Sequence, residues 1–202
     1  MRMLTSPTLQ GRRILVSAGP TWEPFDPVRF ITNPSSGKMG YALARAAARR
    51  SAEVILVSGP SALSNPPGVD TVRVTTAQEM QEAIFELAVS MDAIIMSAAV
   101  GDYRPLQVAP HKLKKVSGEL TLQLVKNPDI LASLGQALRQ DARQVLVGFA
   151  AETEHLLENA REKLIQKNLD FIVANDLMES GSGFGTDTNH VKILDRNGGV
   201  ED

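Results

Sequence analysis

Between residues 29 and 38, Arg29, Asn33, Ser35, Ser36, Gly37 and Lys38 bring together a guanidinium, an amide, two hydroxyls, a glycine and an ammonium. They stand directly ahead of an Ala-rich stretch. Asn33, Pro34, Ser35 and Ser36 are turn and N-cap types, and residues 37–50 are rich in strong helix formers. A helix needs only one good cap. The surplus of donors points to an anion at the helix start, where unpaired N–H groups and the helix dipole favour phosphate. The spacing fits neither the P-loop G-x-x-x-x-G-K-[ST] nor the dinucleotide fingerprint G-x-G-x-x-G. The structural alternative is a well-capped helix with Gly37 and Gly40 allowing close packing.

A second cationic group is Lys112, Lys114 and Lys115, in a loop bounded by Pro110 and Gly118. A charge run is ordinarily a solvated face. In a long loop after a buried strand it also suits closure over phosphates as charge builds in a transition state. Asp102, nearby, fits a cation, a sugar hydroxyl or a loop-structuring role. Lys163 and Lys167 lie one helical turn apart, suited to the helix C-terminus or to phosphate. Phe149 ends an apolar run, where it either packs in the core or stacks on a base. His111, His155 and His190 lie far apart without metal-ligand spacing.

The elements that must position these groups alternate between strand and helix. Apolar runs at 13–19, 53–59, 71–76, 92–100, 144–152 and 170–176 read as strands, with a last one from His190. Helices are expected at 37–50, after Thr76, from Asn127 or Asp129, and over 154–168. Thr76 with Glu79 makes a capping box, and Met80, Ala83, Ile84, Leu87 and Ala88 share one helical face. Residues 119–126, "ELTLQLVK", alternate as a half-exposed antiparallel strand should. Residues 20–36, 101–118 and the Gly-rich 177–189 read as loops. This pattern predicts an α/β, Rossmann-like three-layer sandwich: a mainly parallel sheet, helices on both faces and an antiparallel extension. Ligands in such sheets bind beyond the strands' carboxyl ends. There lie Gly19, Ser97, Ala98, Ala99, Asp102, Tyr103, Glu152, Asn175 and Asp176 as well as the groups above.

The chain's 202 residues suffice for one domain with a real core, and 43% hydrophobic with 22% charged residues is ordinary for a globular protein. A net charge of −2 argues against a general nucleic-acid binder. With no cysteine there is no disulfide framework, thiolate metal site or cysteine nucleophile. No apolar run approaches a membrane span and "MRMLTSPTLQ" lacks a signal core, so a cytoplasmic protein is expected.

The stretches "SAGPTWEPFDPVRFITNPSSGKMG", "VILVSGP", "SAAVGDYRP", "HKLKK", "LVKNPDIL", "VGFAAET", "KNLDFIVAND" and "GFGTDTN" run in this order from about residue 12 to 195. Together they resemble the phosphopantothenoylcysteine synthetase (phosphopantothenate–cysteine ligase) family, in many bacteria the C-terminal half of a bifunctional coenzyme A biosynthesis protein. The resemblance implies that 4'-phosphopantothenate attacks CTP to give an acyl-cytidylate and pyrophosphate. L-Cysteine then displaces CMP. It implies Mg2+ with the nucleotide, a homodimer, and no FMN in this domain; a flavin-dependent decarboxylase domain would be a fused partner. By position, Asn33 is similar to the family's catalytic asparagine, Arg29 to a substrate-binding arginine, and Lys112 to its active lysine, with Lys114 and Lys115 as companions. Ser97, Ala98, Asp102, Pro128, Asp129, Ile130, Phe149, Lys163 and Lys167 fall where the family binds the nucleotide and reacting ligand. Ser35, Ser36, Gly37 and Lys38 are assigned to phosphate from helix-terminus physics alone. The family usually continues past residue 195 with an amphipathic helix, so "DRNGGVED" reads as the end of a trimmed domain. Within that resemblance, the bacterial-type "GDYRP" and "KNPDI" favour CTP over ATP. An NAD(P)-dependent oxidoreductase is the alternative for the same sheet, and a module that binds CTP without consuming it is a third. The exposed strands of "ELTLQLVK" and "HVKILDR" are expected to supply the dimer contact.

Overall fold

The structure, a computed structural model, describes residues 6–114, 118–138, 144–152, 154–176 and 188–202. Its centre is an eight-stranded sheet. Strands β1 (Arg13–Ala18), β4 (Glu53–Ser58), β5 (Val69–Arg73), β6 (Ala93–Met96), β9 (Val145–Glu152) and β10 (Phe171–Asp176) are parallel. β11 (Val191–Asp195) and β12 (Val200–Glu201) extend it in antiparallel fashion. The order is β5-β4-β1-β6-β9-β10-β11-β12. The chain leaves β1 in one direction for β4 and β5 and returns to its other side for β6. The crevice between the carboxyl ends of β1 and β6 is therefore the topological switch point.

Strand β1 shows how one apolar run serves two layers. Ile14, Val16 and Ala18 pack with Val54, Leu56 and the buried Tyr41, Ala44 and Ala47 of helix α1 (Lys38–Arg49). Leu15 points the other way, into a cluster with Ile94, Leu146 and Ile172. That cluster takes Met80 and Ile84 from α2 (Ala77–Ala88), Leu134 from α3 (Ile130–Leu138) and Leu164 from α4 (Leu156–Gln166). Successive strand side chains alternate between faces, so β1 joins both cores. The expectation of helices on both faces holds around β1. Toward β9–β11, among the described residues, the α1 face leaves Val145, Phe171 and Ile193 exposed.

Several boundaries differ from the sequence reading, each for a local reason. β5 ends at Arg73 rather than 76 because the Thr75 carbonyl accepts from Trp22 N–H and Thr76 caps α2. That cap is the expected capping box, with Glu79 N–H on the Thr76 hydroxyl. β6 ends at Met96 rather than 100 because Ala98 N–H goes to the Ser17 hydroxyl instead of a ladder carbonyl, and beyond it one bridge is left, between Pro20 and Ala99. The loop of residues 20–36 contains a hairpin, β2 (Trp22–Pro24) and β3 (Phe30–Thr32). Residues 101–118 supply β7 (Tyr103–Pro105). Only β8 (Leu124–Lys126) of "ELTLQLVK" is strand, antiparallel to β7, because its partner is three residues long. β11 pairs with β10 along its length and with β12 at Ile193 and Leu194.

Candidate functional site

The α1 terminus at the switch point is built by close packing. Gly37, not a serine, is the N-cap, at φ 81° with no side-chain cap. Ser35 Oγ accepts from Gly37 N–H at 3.3 Å and Ser36 Oγ from Lys38 N–H at 3.4 Å, so the two hydroxyls shape the turn ahead of the helix. A Cβ on Gly40 would lie 2.5 Å from Ala18 Cβ and 2.7 Å from Ser97 Oγ. Only glycine lets the helix start this close to β1 and β6. Ser97 donates to the Ser17 carbonyl at 2.7 Å, and Ala98 N–H donates to Ser17 Oγ at 3.1 Å. The segment after β6 is thereby pinned to β1.

Two cavities open here. The larger, about 1010 Å3, is lined by Asn33, Ser35, Ser36, Gly37 and Lys38 on one side. Ser97, Ala98, Phe149, Lys163 and Asn175 line the other. The smaller, about 540 Å3, takes in Tyr103, Pro128, Asp129, Ile130 and Lys167. Ala98, Val100, Asp102 and Phe149 line both, so the two form one cleft with Phe149 and Asp102 on the shared wall. Asn33 Nδ2 donates to the Val100 carbonyl at 3.1 Å, which fixes its amide beside the segment after β6. The Asn175 side-chain oxygen is buried and has no hydrogen-bond partner among the described residues.

On the smaller side, Asp129 starts α3 by accepting from Ala132 N–H at 3.0 Å, and Lys167 Nζ lies 2.9 Å from its other oxygen. Burial pushes the Asp129 carboxyl up. The Ala132 N–H and the Lys167 ammonium outweigh it, with Lys163 adding to them, so the net direction is down. Asp129 thus stays ionised and holds Lys167 at the cleft. Lys163 lies in the last turn of α4, and Lys167 is its C-cap.

Arg29 and the lysine loop are placed differently. Neither Arg29, Lys112 nor Lys114 lines either cavity. Arg29 Nε and Nη2 donate to Asp26 Oδ2 at 3.0 and 2.6 Å, and Nη2 also donates to the Leu113 carbonyl at 3.0 Å. The guanidinium lies 5.1 Å from the Phe25 ring centroid. Lys112 and Lys114 are exposed on either side of Leu113. Lys115 and most of "GFGTDTN" lie outside the described residues. Among the described residues no cluster of three or more His, Asp or Glu could hold a metal ion. No helix there is long and apolar enough to cross a membrane.

The sequence reading missed the Asp26 carboxylate, the buried Glu23 that accepts from Ala77 N–H at 3.0 Å, and the outer wall of residues 59–68. That wall is tied down by Ser61 Oγ donating to the Ser36 carbonyl and by Arg73 donating to Asn65. A D-P pair at 26–27 between two aromatic stretches was the available signal for the Asp26 turn. The end of β4 carries no carboxylate for a ribose: Ser58 there is buried against Tyr41 and Arg73.

Residues 9–202 match the family model described as the DNA/pantothenate metabolism flavoprotein C-terminal domain. The chain is 53% identical over 188 residues to a coenzyme A biosynthesis bifunctional protein CoaBC of Vibrio parahaemolyticus, covering 92% of this chain and 47% of that protein. It is 49% identical over 195 residues to the protein of that name in Bacillus subtilis, covering 96% of this chain and 47% of the relative. The chain thus spans about half the length of these curated relatives. A solved C-terminal domain of a coenzyme A biosynthesis bifunctional protein CoaBC superposes with a TM-score of 0.81 at 46% identity, covering 97% of this chain and 87% of that one.

Proposed function

Because the chain belongs to the DNA/pantothenate metabolism flavoprotein C-terminal domain family, we propose that it joins 4'-phosphopantothenate to L-cysteine through an acyl-cytidylate formed from CTP. Pyrophosphate leaves first and CMP second. The observation that carries this reading is the cleft at the switch point. A helix N-terminus and an oriented amide meet there across a shared wall from an aromatic ring and paired lysines.

The base and ribose belong in the smaller cavity, with Phe149 available for stacking and Pro128, Asp129 and Ile130 along its edge. The triphosphate then runs toward the α1 terminus, where Ser35, Ser36, Gly37 and Lys38 offer N–H, hydroxyl and ammonium donors. Lys163 and Lys167 add positive charge from the other side. Mutual repulsion between carboxylate and triphosphate is the main barrier to the first step, and these groups offset it. In the second step Asn33 donates to the acyl oxygen as cysteine's amine attacks. A neutral donor suits this, because it leaves the amine unprotonated. Mg2+ commonly keeps one or two protein carboxylates and takes its other ligands from phosphate and water. With Asp129 engaged by Lys167, Asp102 on the shared wall is the carboxylate that fits it. A bound magnesium ion would neutralise phosphate charge there.

The reading includes a cytoplasmic homodimer. Trp22 and Phe30 of the β2–β3 hairpin stack with centroids 4.1 Å apart and are exposed, as are Leu124 of β8 and Leu106, Val108 and Leu120 in the segment between β7 and β8. Such surface suits a second copy. A decarboxylase half fused in the full-length protein remains part of the same proposal.

The test is a stepwise assay. With CTP, Mg2+ and 4'-phosphopantothenate, pyrophosphate and an activated acyl species should appear, and L-cysteine should then release CMP. No pyrophosphate under these conditions rejects the reading. Lys112→Gln should slow the first step by about tenfold or more; unchanged turnover removes Lys112 from the site.

A further inference from the structure

The Asp26 carboxylate gathers more donors than its turn requires. Oδ1 accepts from Val28 N–H at 2.9 Å and Arg29 N–H at 2.8 Å, which is sufficient to close the turn between β2 and β3. Oδ2 does something else. It accepts from the Arg29 guanidinium and, at 3.1 Å, from the N–H of Leu113, a residue 87 positions away in sequence. Arg29 Nη2 completes the contact by donating to the Leu113 carbonyl at 3.0 Å. Both main-chain polar groups of Leu113 are thus met by one ion pair, as a neighbouring strand would meet them. The nearest other main-chain tie from this loop to the hairpin is Ala109 N–H to the Phe25 carbonyl at 3.0 Å.

We propose that Asp26 is a positioning residue for the lysine loop: through Oδ2 and Arg29 it clamps the Leu113 peptide and so sets where Lys112 and Lys114 can reach. The inference rests on the ligase reading for what those lysines do, and on geometry alone for the clamp. Asp26 is 1% exposed, so water does not compete for Oδ2. Its charge is matched by Arg29, so the clamp neither draws the adjacent ammonium groups inward nor repels an incoming phosphate. The lysines keep their charge for the nucleotide while the peptide between them is fixed.

Two variants of the full chain test this, Asp26→Asn and Leu113→Pro. The second removes the Leu113 N–H, together with the Leu side chain, and leaves the hairpin turn intact, so it keeps its meaning if Asp26→Asn folds poorly. Without ligands, trypsin should cut after Lys114 about tenfold faster in either variant; cutting after Lys112 is read in Asp26→Asn alone, because trypsin does not cleave a Lys–Pro bond. With CTP and 4'-phosphopantothenate, kcat for pyrophosphate release should fall on the order of tenfold to a hundredfold, as loss of orientation does. The KM for CTP should move by less than about threefold, because the base wall is untouched. Unchanged cleavage after Lys114 in Leu113→Pro overturns the clamp. Fast cleavage with unchanged kcat overturns the positioning role. If the native chain releases no pyrophosphate, the ligase reading falls, and the cleavage rates still decide whether the clamp exists.

Discussion

The α1 terminus and the lysine loop are both cationic and both belong to the proposed reaction, yet they are held by different forces. The α1 terminus is fixed by sterics: Gly37 adopts a backbone angle that favours glycine, and Gly40 admits no side chain against Ala18 and Ser97. The lysine loop has no strand partner at Leu113 and depends there on the Asp26–Arg29 pair. One side of the cleft is therefore preformed, whereas the lysine loop, which lines neither cavity, is tied to the β2–β3 hairpin by the Asp26–Arg29 pair and by Ala109 N–H on the Phe25 carbonyl. Preformed donors lower a barrier without reorganisation, whereas a tethered cation can arrive after substrate does.

The largest expected effect falls on the preformed side. Asn33→Ala removes an amide whose orientation is already set by the Val100 carbonyl. By analogy with loss of one oriented donor to a developing oxyanion, the cysteine step should slow about 100- to 1000-fold. Pyrophosphate release should continue, so the acyl-cytidylate accumulates and can be trapped with hydroxylamine. A variant that makes product at the normal rate would take Asn33 out of the chemistry.

Gly40→Ala comes next and tests the steric half of the comparison. The added Cβ would meet Ala18 Cβ at 2.5 Å and the Ser17 carbonyl oxygen at 2.9 Å, both held in the sheet. Overpacking of this kind costs about 1–3 kcal/mol, and the helix start must shift away from Ser97. Chemical denaturation should show that loss, and both half-reactions should weaken together because the phosphate donors move as a unit. Native stability and rate in this variant would mean that the terminus is not fixed by packing.

Much of the preformed wall was legible in the sequence because it follows from local rules. Buried parallel strands read as apolar runs, Thr76 and Glu79 gave the capping box, and small residues after β6 marked the rim. The strand pattern puts residues 97, 98, 102 and 149 at that rim, the family resemblance alone adds 128–130, and the structure brings all of them around one cleft. The serines ahead of α1 were read as caps, but the helix takes Gly37 instead. That choice depends on Gly19, which a Cβ on Gly37 would approach to 3.2 Å. The clamp was not legible. Pro20, Pro24 and Pro27 made the β2–β3 hairpin look like loop, and no local pattern joins Asp26 to Leu113. The position of Arg29 was noticed for its charge, while the carboxylate that occupies it was not.

The smallest effect sharpens the comparison most directly, because only one of the two regions should respond to acid. The Arg29 guanidinium holds the Asp26 carboxyl far below the ordinary carboxylate range, against the opposing effect of burial, and the N–H groups of Val28, Leu113 and Arg29 add to it. A carboxyl depressed on folding contributes stability that is fully present above its unfolded value near 4 and is lost as pH falls toward the folded value. Asp26→Asn removes that contribution. Its stability deficit against the native chain, measured from urea midpoints, should therefore be constant from about pH 7 to 5 and shrink below about pH 4. Gly40→Ala touches no titratable group in its contacts with Ala18, Ser97 and Ser17, so its deficit should stay level across the same range. A deficit for Asp26→Asn that also stays level into acid would mean that no charged pair forms there. The lysine loop would then be held as the α1 terminus is, by shape alone.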